Sequence, residues 1–192
     1  MKKWLGPLIG ILVVLGIGAV LLISPYNNLV TLSESVDKHK SEIDNKLQRR
    51  MDLIPNLVET VKGYASHETE VMTNIADARS KMAGASTTSE QLEANDELSS
   101  ALSRLLVVVE NYPELKSDTH FTQLMDELAG TENRISVERG KYNEAVQVYN
   151  NKVQRFPSNI AAKIFGFEKR PYFEAQKGAE QAPTVDFGNG AK

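Results

Sequence analysis

The sequence has no cysteine, three histidines and a single tryptophan among its 192 residues. Without cysteine there is no disulfide framework, no thiolate zinc site, no cysteine nucleophile and no acylation site of the lipoprotein kind. A basic excess is missing too: 22 Lys+Arg stand against 25 Asp+Glu, a net charge of -3, which argues against nucleic acid as a partner. The composition is 41% hydrophobic and 24% charged, which excludes global disorder, and the length bounds one modest domain. No nucleophile elbow, phosphate loop or dinucleotide fingerprint occurs in the body of the chain. The isolated Gly16-Ile17-Gly18 falls inside an apolar run and is not a nucleotide loop.

The charges that are present are unevenly placed. Residues 1–23 hold two Lys and no acid, which leaves 20 basic and 25 acidic groups, a balance of -5, in residues 24–192. Leu5 to Ile23 is 19 residues without a charge. At about 1.5 Å of rise per residue, a helix of that length approaches the roughly 30 Å hydrocarbon thickness of a bilayer. The main alternative is a cleaved signal peptide. Its apolar region would be shorter and would end on small residues, and Leu21-Leu22-Ile23 before Ser24-Pro25 does not offer that site. Trp4 and Tyr26 bracket the run at headgroup depth, and Lys2 and Lys3 favour a cytoplasmic amino end with the body outside. Gly6 and Gly10 form a GxxxG through which two spans could self-associate. The expected organisation is a short cytoplasmic end at 1–3, a transmembrane helix at 4–23, a helical domain at 24–175 and a flexible tail at 176–192.

Beyond the run, apolar residues recur every three or four positions, which is the helical period. Leu29, Leu32, Val36, Ile43 and Leu47 form one stripe, and Ile54, Leu57, Val61, Tyr64, Met72 and Ile75 a second. Pro55 falls between them, and proline inside a helix costs about 3 kcal/mol. The reading is therefore a break near Asp52 to Ile54, with one long helix kinked at Pro55 as the alternative. Gly84-Ala85-Ser86-Thr87-Thr88 is a loop, and Thr88 with Gln91 reads as a capping box for a third helix ending near Tyr112-Pro113. Ser117 or Asp118 caps a fourth, running from Phe121 through Leu128, Ile135, Tyr142 and Tyr149 to Phe156, with Pro157 as its stop and Gly130 and Gly140 as weak points. Each helix has one apolar face to bury. The fold class expected is all-α: a transmembrane helix followed by an up-and-down antiparallel four-helix bundle.

One stretch, Leu47-Gln48-Arg49-Arg50-Met51-Asp52-Leu53-Ile54-Pro55-Asn56-Leu57-Val58-Glu59-Thr60-Val61-Lys62-Gly63-Tyr64, is followed by His67-Glu68 and Ala78-Arg79. Later blocks are Tyr112-Pro113-Glu114-Leu115-Lys116, Glu132-Asn133-Arg134-Ile135, Arg139, Tyr142-Asn143, Tyr149-Asn150, Phe156-Pro157 and Phe165-Gly166-Phe167. In this order, over roughly residues 26–175, the chain resembles the LemA family. His39-Lys40 departs from it, since the family commonly places Ala-Trp there. The resemblance implies a bacterial single-pass membrane protein with a helical bundle and no established biochemical activity.

The residues offer little for catalysis. A di-metal bundle site would need Glu three residues before His, but Val36, Tyr64 and Ser117 precede His39, His67 and His120. His67-Glu68 starts like a zinc-protease helix, yet Val71 stands where the second His belongs. The expectation is a non-enzymatic envelope interaction or scaffold module without cofactor or metal, in contact with the bilayer and an unidentified protein. Two groups of residues carry it. Arg49, Arg50, Asp52, Glu132, Arg134 and Arg139 form a candidate charged cluster, structural or partner-binding: Glu132 and Arg139 fall on or beside the apolar stripe, where a charge needs a partner. Phe156, Phe165, Phe167, Tyr172 and Phe173, edged by Lys163, Lys169 and Arg170, form a candidate membrane-proximal aromatic segment. The alternative function is a sensor binding a small molecule or lipid at that aromatic end.

Overall fold

The computed structural model describes the backbone of residues 5–173, and the side chains there except those of 5–9, 11–15, 17–21, 88 and 92. All its regular elements in that range are helices: α1 (Leu5–Tyr64), α2 (Thr69–Gly84), α3 (Thr88–Val109), α4 (Pro113–Lys116), α5 (Thr119–Gln154) and α6 (Ser158–Phe165). Cross-helix pairs fix their directions. Tyr64 meets Asp118 and Arg49 meets Glu127, so α5 runs antiparallel to α1. Lys81 meets Glu97, so α3 reverses the direction of α2. The chain passes up α1, down α2, up α3 and down α5, a helical bundle.

The first pairing has a seven-residue period. Leu29, Val36, Ile43 and Leu57 are buried at steps of seven or fourteen on α1, and Leu47, Ile54 and Val61 fill the second seam. On α5, Phe121, Leu128, Ile135, Tyr142 and Tyr149 are buried at steps of seven. Such a spacing keeps one face of each helix against the other over many turns, as in a coiled coil. The α2–α3 hairpin packs over the later part of α1, adding Ile75, Ala78, Leu98 and Leu105 to the core.

The break expected near Asp52 to Ile54 does not occur. α1 continues through Pro55 to Tyr64, and the chain turns at 65–68. Pro55 is exposed, so its ring faces solvent, and the carbonyl of Met51, to which residue 55 would donate in an ordinary helix, accepts instead from Arg79 Nε at 3.1 Å. A long-range donor thus occupies the acceptor that proline leaves open. The α3 capping box lies one residue earlier than expected: Thr87 Oγ1 accepts from the Glu90 amide at 3.2 Å, and the Glu90 carboxylate accepts from the Thr87 amide at 2.9 Å. Of the two caps expected for α5, Ser117 and Asp118, it is Asp118 that accepts from the Phe121 amide, at 2.8 Å. α5 is unbroken through Gly130 and Gly140.

Among the described residues no helix is long and apolar enough to cross a membrane. The side chains of most of the span expected at 4–23, including Gly6 of the GxxxG, and the tail expected at 176–192 lie outside the described residues.

Candidate functional site

Arg50 takes the seven-residue position between Ile43 and Leu57, where an aliphatic side chain would otherwise sit, and is only 3% exposed. Its Nη1 donates to Asn95 Oδ1 on α3 and to Glu132 Oε2 on α5, and its Nη2 donates to Ser99 Oγ at 3.1 Å. Asn95 Nδ2 also donates to Glu132 Oε2 at 3.3 Å, and Ser99 Oγ donates back to the Asn95 carbonyl at 2.9 Å. One guanidinium therefore ties three helices together. Burial pushes it below its ordinary arginine value, while the charges of Glu132 and Asp96 act the other way. Such an arrangement can hold helix register, because a buried charge is tolerated where partners meet it, and Nη1 and Nη2 meet theirs while the buried Nε has none.

The other members of the charged set do not join this network. Arg49 pairs with Glu127 at 2.7 Å on an exposed surface. Asp52 is exposed and accepts from Gln48 of its own helix at 2.8 Å. Arg134 is exposed as well. Arg139 lies 5.9 Å from the centre of the Phe173 ring. Asn95 and Ser99, which complete the lock, carry no sequence signal beyond a polar residue on a helical face; only the bundle brings them to Arg50.

The aromatic segment divides in two. Phe173 is buried edge-on against Tyr142, with ring centres 4.6 Å apart. The extended chain from 167 to 173 is held along α5 by two asparagines. Asn150 donates to the Arg170 carbonyl and accepts from the Arg170 amide, both at 2.8 Å, and Asn143 does the same for Phe173 at 2.8 Å. The spacings agree: seven helical residues rise about 10.5 Å, and three extended ones about 10 Å. Tyr142 Oη adds a bond to the Pro171 carbonyl at 3.1 Å. Arg170 then reaches across to Asp37 and Ser33 of α1, each at 3.3 Å. The repeated Tyr142-Asn143 and Tyr149-Asn150 pairs were visible in the sequence as part of a resemblance, but their role as a clamp on the returning chain was not.

The second part is outward-facing. Phe156 is 78% exposed, and Ile160, Ile164, Phe165 and Tyr172 are also exposed. Tyr26 contacts Phe165 and Phe167, with ring centres 4.7 and 5.8 Å away, which places α6 beside the start of the bundle, next to the charge-free run. Ser24, Pro25, Asn28, Lys152, Arg155 and Phe156 border an open cleft of about 450 Å³ at the same level. Among the described residues no group of three or more His, Asp or Glu side chains converges as metal ligands would. His39 stands 3.6 Å from Glu138, whose carboxyl is held below its usual range first by its bond from Lys141 and also by His39.

The fold and these sites define a class: an all-helical bundle organised around a buried arginine and ending in an asparagine-clamped return segment. The profile of the LemA family matches residues 39–187, and the chain belongs to that family. Among its relatives is "Magnetosome protein MamQ 2" of Paramagnetospirillum magneticum, 30% identical over 190 residues covering 85% of this chain and 70% of the relative. "Magnetosome protein MamQ" of Magnetospirillum gryphiswaldense is 27% identical over the same coverage. "Protein LemA" of Metamycoplasma hominis is 23% identical over 164 residues, covering 85% of this chain and 75% of the relative.

Proposed function

We propose that this protein is a single-pass membrane protein of the bacterial cell membrane, with a cytoplasmic amino end, whose helical bundle serves outside as a non-enzymatic interaction or scaffold module. The observation that carries this reading is the continuity of α1, from Leu5 to Tyr64. One helix, about 90 Å long at 1.5 Å per residue, contains both the charge-free run Leu5 to Ile23 and the bundle seam from Leu29 onward. A span joined to a folded domain by unbroken helix holds that domain at a set distance and rotation from the bilayer, which suits a presenting or scaffolding role more than a freely tethered one. Relatives named for an organelle or for the family, and not for a reaction, are in keeping with it.

The test is topology. Single cysteines at Ser35 and at Lys192 meet no competing thiol in this cysteine-free chain. Labelling of both sites in intact cells by a membrane-impermeant maleimide supports the reading; labelling only after lysis reverses the orientation. Release of the protein from membranes by carbonate overturns the anchor itself.

A second reading, a sensor for a small molecule or lipid, draws on the open cleft beside Phe156. Filling it with Asn28→Trp would abolish ligand-induced stabilisation if the cleft is the binding site, and would leave it intact if it is not.

A further inference from the structure

α6 is amphipathic in an inverted sense. The face turned to the bundle carries small residues, Ser158, Ala161 and Ala162, all buried, while the bulky Ile160, Ile164 and Phe165 are left outside together with Phe156 from the preceding turn. A helix serving only to close the end of the core would bury its large side chains and expose its small ones. Ile160 and Ile164 are one turn apart and share a face, and the exposed Phe156 stands just before the helix.

Its height and its charge are also distinctive. Tyr26, which packs on Phe165, is three residues past Ile23, about 4.5 Å along the helix axis from the end of the charge-free run. The headgroup layer extends about 5–8 Å beyond the hydrocarbon. Between 152 and 170 the chain carries Lys152, Arg155, Lys163, Lys169 and Arg170 against Glu168 alone, a local charge of +4 in a protein whose net charge is -3, leaving -7 for all other residues. Of these, Lys152, Arg155, Lys163 and Lys169 are exposed. Bulky apolar side chains ringed by basic ones, on an otherwise acidic body, match an anionic lipid surface in both polarity and charge.

We propose that α6 and Phe156 form a second membrane contact, seated in the headgroup layer of a bilayer containing anionic lipid. This rests on the reading of Leu5 to Ile23 as the anchor, and supplies what one span lacks. A single helix leaves the bundle able to rock about it, whereas a second attachment beside the helix fixes the tilt. The asparagine clamp at Asn143 and Asn150 and the Arg170–Asp37 pair hold the chain that follows α6 to α1 and α5, so α6 is presented from a braced end.

The experiment uses the full chain with Trp4→Phe, reconstituted in phosphatidylethanolamine–phosphatidylglycerol vesicles containing brominated acyl chains. A single tryptophan is placed by Ile164→Trp, Phe156→Trp, Leu12→Trp or Val107→Trp. The expected result is strong quenching at position 12, at least twofold quenching with blue-shifted emission at 164 and 156, and none at 107. Position 12 quenched with 164 and 156 behaving like 107 overturns the second contact and leaves the anchor standing, so that the exposed face would then be a protein-docking surface. Position 12 unquenched overturns the anchor, and this inference with it. Changing Lys152, Arg155, Lys163 and Lys169 to Gln is expected to halve the quenching at 164 or more; quenching unchanged by these substitutions and by removal of phosphatidylglycerol overturns the requirement for anionic lipid.

Discussion

Arg79 on α2 donates its Nε proton to the carbonyl of Met51 on α1, the acceptor that Pro55 lacks the N–H to serve. The bond both offsets a defect within one helix and fixes a second helix to it. A hydrogen bond from a charged donor contributes about 1.5–3 kcal/mol, so Arg79→Met is expected to lower stability by about 1–2 kcal/mol after retaining most of the packing. In a Pro55→Ala background the alanine amide can supply the carbonyl, and the same substitution should cost roughly 1 kcal/mol less. A double-mutant cycle by urea unfolding, followed by circular dichroism, decides it. Equal costs in the two backgrounds would show that Arg79 acts independently of the proline.

The buried lock predicts an asymmetry. Glu132 is about one-third exposed, so it can regain water when Arg50 is removed, whereas Arg50 stays buried when Glu132 is removed. Breaking a buried pair from the side that strands the charge costs about 3–5 kcal/mol. Glu132→Ala is therefore expected to destabilise more than Arg50→Met, by about 1 kcal/mol or more, and Arg50→Leu with Glu132→Leu should recover most of the loss. Chemical denaturation of the four proteins measures this; Arg50→Met as the costlier change would refute the asymmetry.

Much of the fold was legible because the signal is periodic. The seams through Val36, Ile43, Leu57, Leu128, Ile135 and Tyr149 follow from spacing alone, and the cap of α5 was narrowed to Ser117 or Asp118. Pro55 misled because proline propensity is local while its remedy, Arg79, comes from 24 residues further along the chain. Of the candidate charged set, Glu132 and Arg139 were recognisable as charges on or beside an apolar face, whereas Arg50 was grouped with them only by its place near the end of the first stripe. Asp52 and Arg134 lie among similar residues but point to solvent, and a helical period without the helix rotation cannot separate the two cases. Arg139 was assigned to the charged set, and the chain returning along α5, which has no period to read, also brings the Phe173 ring to 5.9 Å from it.

The clamp can be tested by changing one atom. Asn150 uses its amide nitrogen toward the Arg170 carbonyl and its oxygen toward the Arg170 amide. Asn150→Asp keeps the acceptor but sets a carboxylate oxygen against the carbonyl, while Asn150→Ala leaves both backbone groups without these partners in a partly buried place. Each is expected to cost about 1–3 kcal/mol, with Asp the worse of the two. Hydrogen exchange read at residues 167–173 should accelerate in both variants while exchange in α2 and α3 is unchanged. Acceleration spread evenly over the bundle would mean that Asn150 supports the core and not the strand in particular.

Asp118 links one end of the α1–α5 pair, where α1 stops and α5 starts, to pH. Its carboxyl is held below the usual aspartate range, first by the Phe121 amide that it caps and next by the Tyr64 hydroxyl, which donates to it at 2.8 Å. A depressed folded value means that the folded state binds the proton less readily than the unfolded chain. The stabilisation is fully present above the unfolded value, about 3.9, and is lost as pH falls through the lower folded one. Asp118→Asn retains a good capping oxygen but has no proton to gain. The variant is expected to be modestly less stable at neutral pH, and to lose less of its stability than the parent does on acidification below about pH 4. Thermal unfolding between pH 7 and pH 3 checks both signs. Parallel pH profiles would place the acid sensitivity in other carboxylates and leave Asp118 as a cap whose charge contributes nothing.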